Sequence, residues 1–398
     1  MADFKTIDEF DPKGKRVLVR VDFNVPMQDG EVTDSTRIER AAVTLKELMG
    51  KGARVIALSH FGRPKGKVEP AMSLAPIAKA LGKALGGTEV VFGKDCIGPE
   101  AETAVSQVKN GGIALLENLR FHAGEEKNHA EFADSLASLG DIYVNDAFSS
   151  SHRSHASVTG LAERLPAYAG RLMEAELKAL GAAVGDADRP VAALVGGAKV
   201  STKLDVLGHL LDKVDVLIIG GGMANTFLHA KGVDIGKSLC EKDLADNARA
   251  IMEKAKARNV RILLPEDGVV ATRFEPNAEN RVVAVDSVGP EEMILDIGPK
   301  SAETVEKALA DCRTLLWNGP MGAFEVTPFD AGTNKVAQAA ARLTQDGKLQ
   351  SVAGGGDTVA ALAHAGVLEQ FSYVSTAGGA FLEFIEGKEL PGVAALAR

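Results

Sequence analysis

Short runs of consecutive apolar residues recur along the chain, and each is followed by a small or polar cluster and then by a helix-like stretch. Runs of this length are typical of strands that are buried on both faces, as in parallel sheets. They comprise residues 16–21, 54–58, 113–116, 142–144, 191–195, 216–219, 261–264, 314–317 and 351–353.

The stretches between these runs include helical patterns, for example at residues 38–49, 132–139 and 244–257. Repeated alternation of strand and helix predicts right-handed βαβ crossovers and an α/β fold. Because 398 residues are too many for one ordinary core, we expect two Rossmann-like domains. Each should be a mainly parallel sheet flanked by helices.

The break between the halves is predicted after residues 165–170, where Pro166 interrupts the preceding pattern. Residues 171–183 are rich in Leu, Ala, Glu and Lys and predict a helix. The domains are therefore placed at residues 1–170 and 171–385. A hinge helix shared by both domains fits this pattern as well as a flexible linker does.

Charge and cysteine usage narrow the choice of partners and compartment. A net charge of −9 argues against nucleic acid as the main partner, since a duplex binder needs a positive surface, but it leaves anionic small molecules open. Cys96, Cys240 and Cys312 lie far apart without a CxxC pair, which predicts reduced, buried thiols rather than disulfides or a zinc site. The chain begins with no apolar signal region and has no apolar stretch of bilayer-spanning length, so we expect a soluble, cytoplasmic protein.

Polar and cationic residues follow successive apolar runs in the first half. Ligands of open parallel sheets bind beyond the carboxyl ends of the strands, so these positions are candidates for a site. They include Asp22, Phe23, Asn24, Arg37, His60, Phe61, Gly62, Arg63, Arg120 and Arg153. A lone arginine there is more often a surface ion pair, but four at one edge suggest a small, multiply anionic substrate. His122 and His155 are interpreted as structural.

Glycine clusters follow the runs of the second half, at residues 196–197, 220–222 and 354–356. Glycine lets the backbone approach phosphate oxygens, and a following helix offers free N–H groups. Lys199 and Lys203 are four apart and share a face if a helix begins there. One cluster alone favours a tight strand–helix turn, but three with paired lysines favour a nucleotide site. Asp357 is a candidate Mg²⁺ contact, since that ion takes carboxylates together with substrate phosphates.

Six motifs, in this order along the chain, resemble signatures of the phosphoglycerate kinase family. They are RVDFNVP at residues 20–26, SHFGRP at 59–64, ENLRF at 117–121, GGAKV at 196–200, WNGP at 317–320 and GGGDT at 354–358. The resemblance runs essentially from end to end. It implies that residues 386–398 pack back on the first domain.

The resemblance also implies roles for individual residues. The positions that match those holding 3-phosphoglycerate are Asp22, Asn24, Arg37, His60, Arg63, Arg120 and Arg153, and Phe23, Phe61 and Gly62 lie in the same motifs. The positions that match the nucleotide site are Lys199, Lys203, Glu325, Gly355, Gly356, Asp357 and Thr358, with Asp357 near the magnesium. Asn318 and Gly222 are expected to line the same pocket.

The activity implied by the resemblance is reversible transfer of a phosphoryl group from 1,3-bisphosphoglycerate to MgADP, giving 3-phosphoglycerate and MgATP. The accepting carboxylate is ionised at neutral pH, so no general base is needed, and Arg37 and Lys199 are the expected catalytic groups. Hinge closure, a Mg²⁺ cofactor and a monomer are also expected, with neither nucleic acid nor membrane as a partner.

Two rival interpretations remain at this point. An NAD-dependent dehydrogenase also suits glycine clusters in an α/β chain, but Asn225 and Val359 stand where the third glycine of a dinucleotide fingerprint is needed. The other is a non-catalytic metabolite-binding protein that keeps a kinase scaffold, because fold does not guarantee activity.

Overall fold

The structure is a computed structural model that describes residues 4–185 and 187–397. The chain divides into two compact units, and each has its own sheet and core. The first unit runs to Leu177 and includes the residues from Glu389 onward, while the second runs from Lys178 to Lys388.

The first unit is a parallel sheet between two layers of helices. Its strands are β1 (Arg16–Arg20), β2 (Met27–Gln28), β3 (Glu31–Val32), β4 (Arg54–Leu58), β5 (Val90–Gly93), β6 (Ile113–Leu116), β7 (Ile142–Asn145) and β8 (Ala167–Ala169). Its helices before the unit boundary are α1 (Thr36–Gly50), α2 (Ala75–Ala84), α3 (Gly98–Gln107), α4 (Ala123–Glu126) and α5 (Ala130–Ala137). The parallel sheet has the order β5-β6-β4-β1-β7-β8, and β2 pairs with β3 separately.

Alternate residues of the central strands enter two different cores. Val17 and Val19 of β1 pack with α1 and α2, whereas Leu18 between them packs with α3 and α5. Because both faces of the sheet are covered, nearly every strand residue is buried. This arrangement explains why these strands read as unbroken apolar runs.

Helix α6 (Arg171–Leu180) follows β8 and contains the point at which the two units divide. The buried Asp146 carboxylate at the end of β7 accepts hydrogen bonds from the backbone N–H groups of Leu172 (2.8 Å) and Met173 (3.3 Å). It thereby caps the free donors of the first helical turn. Burial raises the pKa of Asp146 to about 7, although hydrogen bonds from Thr44 and the helix oppose the rise.

The second unit contains a parallel sheet and a smaller antiparallel one. Its strands are β9 (Val191–Val195), β10 (Val216–Ile219), β11 (Arg261–Leu263), β12 (Asp267–Ala271), β13 (Asn280–Ala284), β14 (Met293–Ile297), β15 (Thr314–Asn318), β16 (Gln350–Gly354) and β17 (Tyr373–Ser375). Its helices are α7 (Leu204–Leu210), α8 (Gly221–Ala230), α9 (Ala245–Ala257), α10 (Pro299–Ala310), α11 (Ala331–Gln345), α12 (Gly356–His364) and α13 (Gly379–Ile385). The parallel sheet has the order β11-β10-β9-β15-β16-β17.

The antiparallel sheet, in the order β13-β12-β14, lies outside the predicted α/β pattern. Four of the five β13 residues are exposed, although the strand contains apolar residues, so it lacks the burial on both faces that marks the predicted strands. The predicted fold class is confirmed, since both units contain a parallel sheet flanked by helices. Helix α14 (Pro391–Ala394) belongs to the first unit, where the Gly392 N–H donates to the Ser151 carbonyl oxygen at 2.8 Å.

The predicted strands agree with the structure to within one residue at each end. Besides the antiparallel sheet of the second unit, five short or partly exposed strands were missed, namely β2, β3, β5, β8 and β17. Strand β8 lies within residues 165–170, where the sequence predicts a break. Cys96 and Cys312 are buried as expected, whereas Cys240 is half-buried. No helix in the described ranges is long and apolar enough to cross a membrane.

Candidate active site

The first unit gathers its predicted anion-binding residues at the carboxyl edge of its sheet. Strands β6, β4, β1 and β7 are neighbours in that order and run parallel, so the segments that follow them lie side by side. Those segments carry Arg120, Arg63, Asp22 and Arg153, and Arg37 lies in the first turn of α1.

Arg37 is held in place by the segment after β1. Its Nη1 lies 2.9 Å from Asp22 Oδ2 and 3.0 Å from the Asn24 carbonyl oxygen, while 38% of its side chain remains exposed. The Ser149 hydroxyl donates to the same Asp22 oxygen at 2.6 Å. Burial raises the pKa of Asp22, but the charge of Arg37 and the hydrogen bonds from Ser149 and Asn24 outweigh it, so the pKa is lowered. Asp22 therefore stays ionised and orients a guanidinium whose other edge is open to solvent.

The segment after β4 is fixed through Gly62. Its N–H donates to Asn24 Oδ1 at 2.9 Å, and its carbonyl oxygen accepts from Arg120 Nη1 at 2.8 Å. Arg120 is itself mostly buried, whereas Arg63, the next residue after Gly62, is exposed. Asn24 and Arg120 therefore position the backbone that carries Arg63.

His60 is a neutral hydrogen-bond donor in this arrangement. Arg20 Nη2 lies 3.0 Å from His60 Nδ1, and a guanidinium can only donate, so the ring proton resides on Nε2. Burial, and then the charge of Arg20, lower the pKa of His60 well below its ordinary value.

A buried polar network lies behind His60. Arg20 Nε donates to Ser157 Oγ at 2.9 Å, and Ser157 Oγ donates to the fully buried Glu125 at 2.5 Å. His155 Nδ1 lies 3.8 Å from Glu125, and burial followed by nearby arginines lowers the pKa of His155 to about 3. The interpretation of His155 as structural fits this burial.

Sequence reasoning missed three contributors to this edge, namely Arg20, Ser149 and Glu125. The sequence did contain a signal for Arg20, because a cation at the end of an apolar run needs polar partners if it is buried.

Phe23 was predicted among the substrate-binding residues, but its ring lies in the core, and its N–H donates to Ser59 Oγ at 2.9 Å. Phe61 is partly buried and packs against that core.

The second unit contains a cavity of about 340 Å³ lined by glycines of three segments. The predicted residues Gly222, Glu325 and Asp357 all line it, together with Gly197, Gly221 and Gly322. An apolar wall faces them and comprises Leu239, Phe274, Met293 and Leu295. Strand β14 of the unpredicted sheet thus supplies part of the cavity. An apolar wall opposite exposed backbone suits a ligand that is flat and apolar at one end and anionic at the other.

Lys203 and Asn318 form a hydrogen-bonded pair beside the third glycine cluster. The Lys203 ammonium donates to Asn318 Oδ1, and Asn318 Nδ2 donates to the Gly354 carbonyl oxygen at 2.7 Å. The Thr358 hydroxyl accepts from the Gly319 N–H at 2.7 Å, which joins α12 to the end of β15. Burial lowers the pKa of Lys203, and the carboxylates of Asp357 and Glu386 oppose the shift.

Glycine is required by contact at Gly196 and by conformation at Gly355. A Cβ on Gly196 would overlap the Pro320 carbonyl oxygen, so the ends of β9 and β15 approach closely only without one. Gly355 has φ +98°, and a Cβ there would lie 2.6 Å from Asn318 Nδ2. Gly356 and Asp357 then open the first turn of α12, where both are exposed.

The expectation that Lys199 and Lys203 share a helical face is wrong. Helix α7 begins at Leu204, Lys199 is extended, and residues between the two lysines form a tight turn. Lys199 is exposed next to the cavity-lining Ala198, whereas Lys203 is half-buried against Asn318. The lysines therefore have different surroundings.

A further carboxyl group that the sequence did not reveal lines the same cavity. Asp296 on β14 is buried and accepts hydrogen bonds from the N–H groups of Gly332 (2.6 Å) and Ile297 (2.9 Å). Burial raises its pKa to about 8, and the charge of Asp330 adds to the rise. The Asp296 carboxyl group is therefore mostly neutral near pH 7 where it lines the cavity. Its hydrogen bond from Gly332 also caps the first turn of α11.

Together, an arginine-rich sheet edge in one unit and a glycine-lined cavity with lysines in the other define an α/β kinase of small molecules. A family model described as phosphoglycerate kinase matches residues 7–388. The chain belongs to the phosphoglycerate kinase family, and it is a transferase of glycolysis. The dehydrogenase alternative is therefore wrong, and an enzyme is favoured over a non-catalytic binding protein.

Relatives and solved structures cover nearly the whole chain. A phosphoglycerate kinase of Methylorubrum populi is 62% identical over 397 residues, covering 100% of this chain and 99% of the relative. One of Rhodospirillum centenum is 60% identical over 393 residues, covering 99% of each chain. The structure of phosphoglycerate kinase from Coxiella burnetii has a TM-score of 0.92 at 44% identity and 99% coverage of both chains. That from Pyrococcus horikoshii OT3 has a TM-score of 0.78 at 32% identity and 98% coverage of both.

Proposed function

We propose that the first unit binds 3-phosphoglycerate or 1,3-bisphosphoglycerate and that the second binds ADP or ATP. The observation that carries this assignment is the convergence of arginines after four adjacent parallel strands, with Arg37 oriented by Asp22 at 2.9 Å. The substrate-contacting set is Asp22, Asn24, Arg37, His60, Gly62, Arg63, Arg120 and Arg153, with Phe23 and Phe61 limited mainly to backbone contacts.

In the direction of ATP use, a carboxylate oxygen of 3-phosphoglycerate attacks the γ-phosphorus of ATP. The bond from that phosphorus to the β,γ-bridging oxygen breaks, and ADP leaves with the electron pair. Neither step moves a proton, because the nucleophile is already ionised at neutral pH. The protein's contribution is alignment and stabilisation of charge on the transferring group.

Arg37 and Lys199 are the groups that we assign to this charge stabilisation. Arg37 is pre-oriented by Asp22 and the Asn24 carbonyl, so little side-chain freedom is lost when its open edge meets a phosphoryl oxygen. Lys199 is exposed beside the backbone of Gly197 and Ala198, which lines the cavity.

The nucleotide is assigned to the glycine-lined cavity. Its phosphates are placed near Gly222, Lys203, Asn318, Glu325 and the start of α12, which comprises Gly355, Gly356, Asp357 and Thr358. The Asp357 carboxylate is exposed in the first turn of α12, beside the cavity, and carboxylate oxygen is a ligand that Mg²⁺ prefers. When bound with the nucleotide, Mg²⁺ neutralises phosphate charge, and Asp357 is the residue assigned to hold it.

Two substrates bound by different units must meet for transfer, so we also propose closure at a hinge that includes α6. Closure would exclude water that would otherwise hydrolyse the acyl phosphate. The radius of gyration from solution scattering should fall when both ligands are present. An unchanged radius in an active preparation would count against closure.

We also propose that the protein is a cytoplasmic monomer. The molar mass measured by light scattering tests whether it is a monomer.

Calorimetric titration tests the assignment of substrates to units. Arg63→Met should weaken 3-phosphoglycerate binding by roughly 10-fold or more while leaving MgADP binding unchanged, since a charge-assisted hydrogen bond contributes about 1.5–3 kcal/mol. Lys203→Met should weaken MgADP binding and leave 3-phosphoglycerate binding unchanged. Lys231→Met, which alters an exposed lysine of the second unit, is the control. Loss of nucleotide affinity in the Arg63 variant would overturn the assignment.

A further inference from the structure

A cluster of potential metal ligands lies in the first unit, whereas the carboxylate assigned to Mg²⁺, that of Asp357, belongs to the second. The side chains of Asp95, Cys96 and His122 converge, and one ligand atom from each lies within 4.8 Å of the other two. Asp95 and Cys96 lie between β5 and α3, whereas His122 directly precedes α4. We propose that this cluster, the β5–α3 cluster, is a binding site for Zn²⁺ or a similar borderline divalent ion.

The types of donor select the class of metal. A thiolate, an imidazole and a carboxylate form a ligand set that suits Zn²⁺ and related transition metals, whereas Mg²⁺ and Ca²⁺ prefer oxygen ligands only. Three protein ligands with an open fourth position for water are a common zinc arrangement. Asp95 and His122 have side chains that are 40% and 31% exposed, which leaves room for that water.

The geometry holds the donors close before a metal arrives. His122 Nε2 lies 2.6 Å from Asp95 Oδ1, and that oxygen also accepts from the Cys96 N–H at 2.6 Å. The His122 ring packs against Phe132 with centroids 5.3 Å apart. Two donors of one zinc ion lie no further apart than the sum of their bond lengths, about 4.4 Å, and these donor atoms lie within 4.8 Å of one another, so only small side-chain adjustments are needed. The partly exposed Asp95 and His122 are the side chains free to move.

The cysteine forms the fixed side of the site. Cys96 is fully buried within the core that also contains Leu119 and Phe132. Apolar surroundings strengthen the attraction between an ion and its ligands, because the effective dielectric constant is lower than in water. When the sulfur and His122 Nε2 become ligands, the thiol proton is released to solvent, and the proton that Nε2 shares with Asp95 Oδ1 is also displaced, either to Nδ1 or to solvent.

Binding would join two segments that are distant in sequence. A metal bridge between residues 95–96 and residue 122 closes a loop that contains α3 and β6, so it restricts the unfolded chain. His122, one end of this bridge, lies two residues after Arg120 in the sequence. Because Zn²⁺ would bind the folded chain, it should raise the temperature of unfolding by an amount that increases with the logarithm of its concentration relative to its Kd.

Titration of the full-length, nucleotide-free protein with Co²⁺ tests the site directly, because a cobalt–thiolate bond produces a charge-transfer absorption band. We expect one Co²⁺ per chain with this band, displaceable by Zn²⁺. Cys96→Ser should abolish the band, and His122→Gln should weaken binding by about 100-fold or more, since even indirect partners of metal ligands contribute 10- to 100-fold. The matched controls are Cys240→Ser and His129→Gln, which alter a half-buried cysteine of the other unit and an exposed histidine near α5.

A wild-type protein that shows no thiolate band, or a band that survives Cys96→Ser but not Cys240→Ser, would overturn the proposal. If Cys96→Ser fails to fold, Asp95→Asn and His122→Gln change only partly exposed side chains and decide the matter. In these variants Zn²⁺ should no longer raise the midpoint of thermal unfolding, whereas it should do so in wild type and in His129→Gln. An equal zinc-induced rise in all four proteins would contradict the site.

Discussion

The guanidinium of Arg20 donates a hydrogen bond to Nδ1 of His60 across 3.0 Å, although both side chains are buried at the edge where the anionic substrate is placed. This contact fixes the ring proton on Nε2 and keeps the imidazole neutral. His60 therefore offers a directed N–H rather than a second positive charge, and the arginines around it supply the charge.

His60→Gln and His60→Ala should separate these roles. The glutamine side chain retains an N–H donor, so the KM for 3-phosphoglycerate should change little, whereas alanine should raise it roughly 10-fold or more. Steady-state kinetics at fixed MgATP give both values. Equal effects of the two substitutions would show that the donor is not what His60 contributes.

The pKa of His60 tests whether the charge of Arg20 keeps the imidazole neutral. In wild type the imidazole should remain neutral across the range in which an ordinary histidine titrates, because burial and Arg20 both lower its pKa. In Arg20→Met the arginine charge is lost, so the pKa should rise towards its ordinary value. Histidine NMR signals followed against pH report this shift. An unshifted His60 signal would contradict the proposed role of the contact.

Gly355→Ala should damage the nucleotide site through backbone conformation. The residue has φ +98°, and an added Cβ would press on Asn318, the partner of Lys203. We expect a loss of about 1–3 kcal/mol in the free energy of unfolding and a KM for MgATP raised roughly 10-fold. Gly366→Ala is the matched control, because Gly366 has φ +71° but open space around it. It should lose stability without a change in the KM for MgATP.

The Asp146 cap should make stability depend on pH. Its pKa is raised from an ordinary 3.8 to about 7, so the folded protein binds a proton that the unfolded chain has released. The stabilisation from this proton is complete below pH 4 and is lost as pH rises through 7. Across two pH units in this window, the wild type should lose up to about 3 kcal/mol relative to Asp146→Asn, which can still accept from Leu172 and Met173.

Urea unfolding at several pH values measures this difference. Thr44 and the N–H groups of α6 face the carboxyl, and the charge of Arg171 opposes the rise in pKa. Asp311→Asn, which alters an exposed aspartate, should leave the pH dependence unchanged. A constant difference between wild type and Asp146→Asn from pH 5 to pH 8 would show that Asp146 is ionised in the folded state.

The sequence predicted the parts of the fold in which burial leaves an unbroken apolar run. Strands β4, β6, β9 and β10 were predicted with their observed ends, because neighbours cover both faces. Strand β13 could not be recognised, since it is mostly exposed and is defined by its pairing with β12. Strand β14 was missed although none of its residues is exposed, because its place in the apolar wall depends on antiparallel pairing with β12, which the sequence pattern does not show.

Site residues that follow a strand in the sequence were predicted. Site residues whose position depends on tertiary packing were missed. Asp22, Arg120 and Asp357 follow apolar runs, so their place at a sheet edge follows from topology. Arg20 was counted as part of a strand, and its burial against His60 depends on three other segments. Cys96 and His122 lie far apart in sequence, which is why spacing gave no sign of a metal site.

The central claim is that Arg37 stabilises the transferring phosphoryl group, and turnover by Arg37→Ala tests it most directly. MgATP and 3-phosphoglycerate would be supplied and the product coupled through glyceraldehyde-3-phosphate dehydrogenase to NADH oxidation. Lys46→Ala, an exposed position on the same helix, is the control. The account predicts that kcat falls on the order of 10³-fold in Arg37→Ala and not in the control, by analogy with arginine fingers. A folded Arg37→Ala protein with near-wild-type kcat would contradict it.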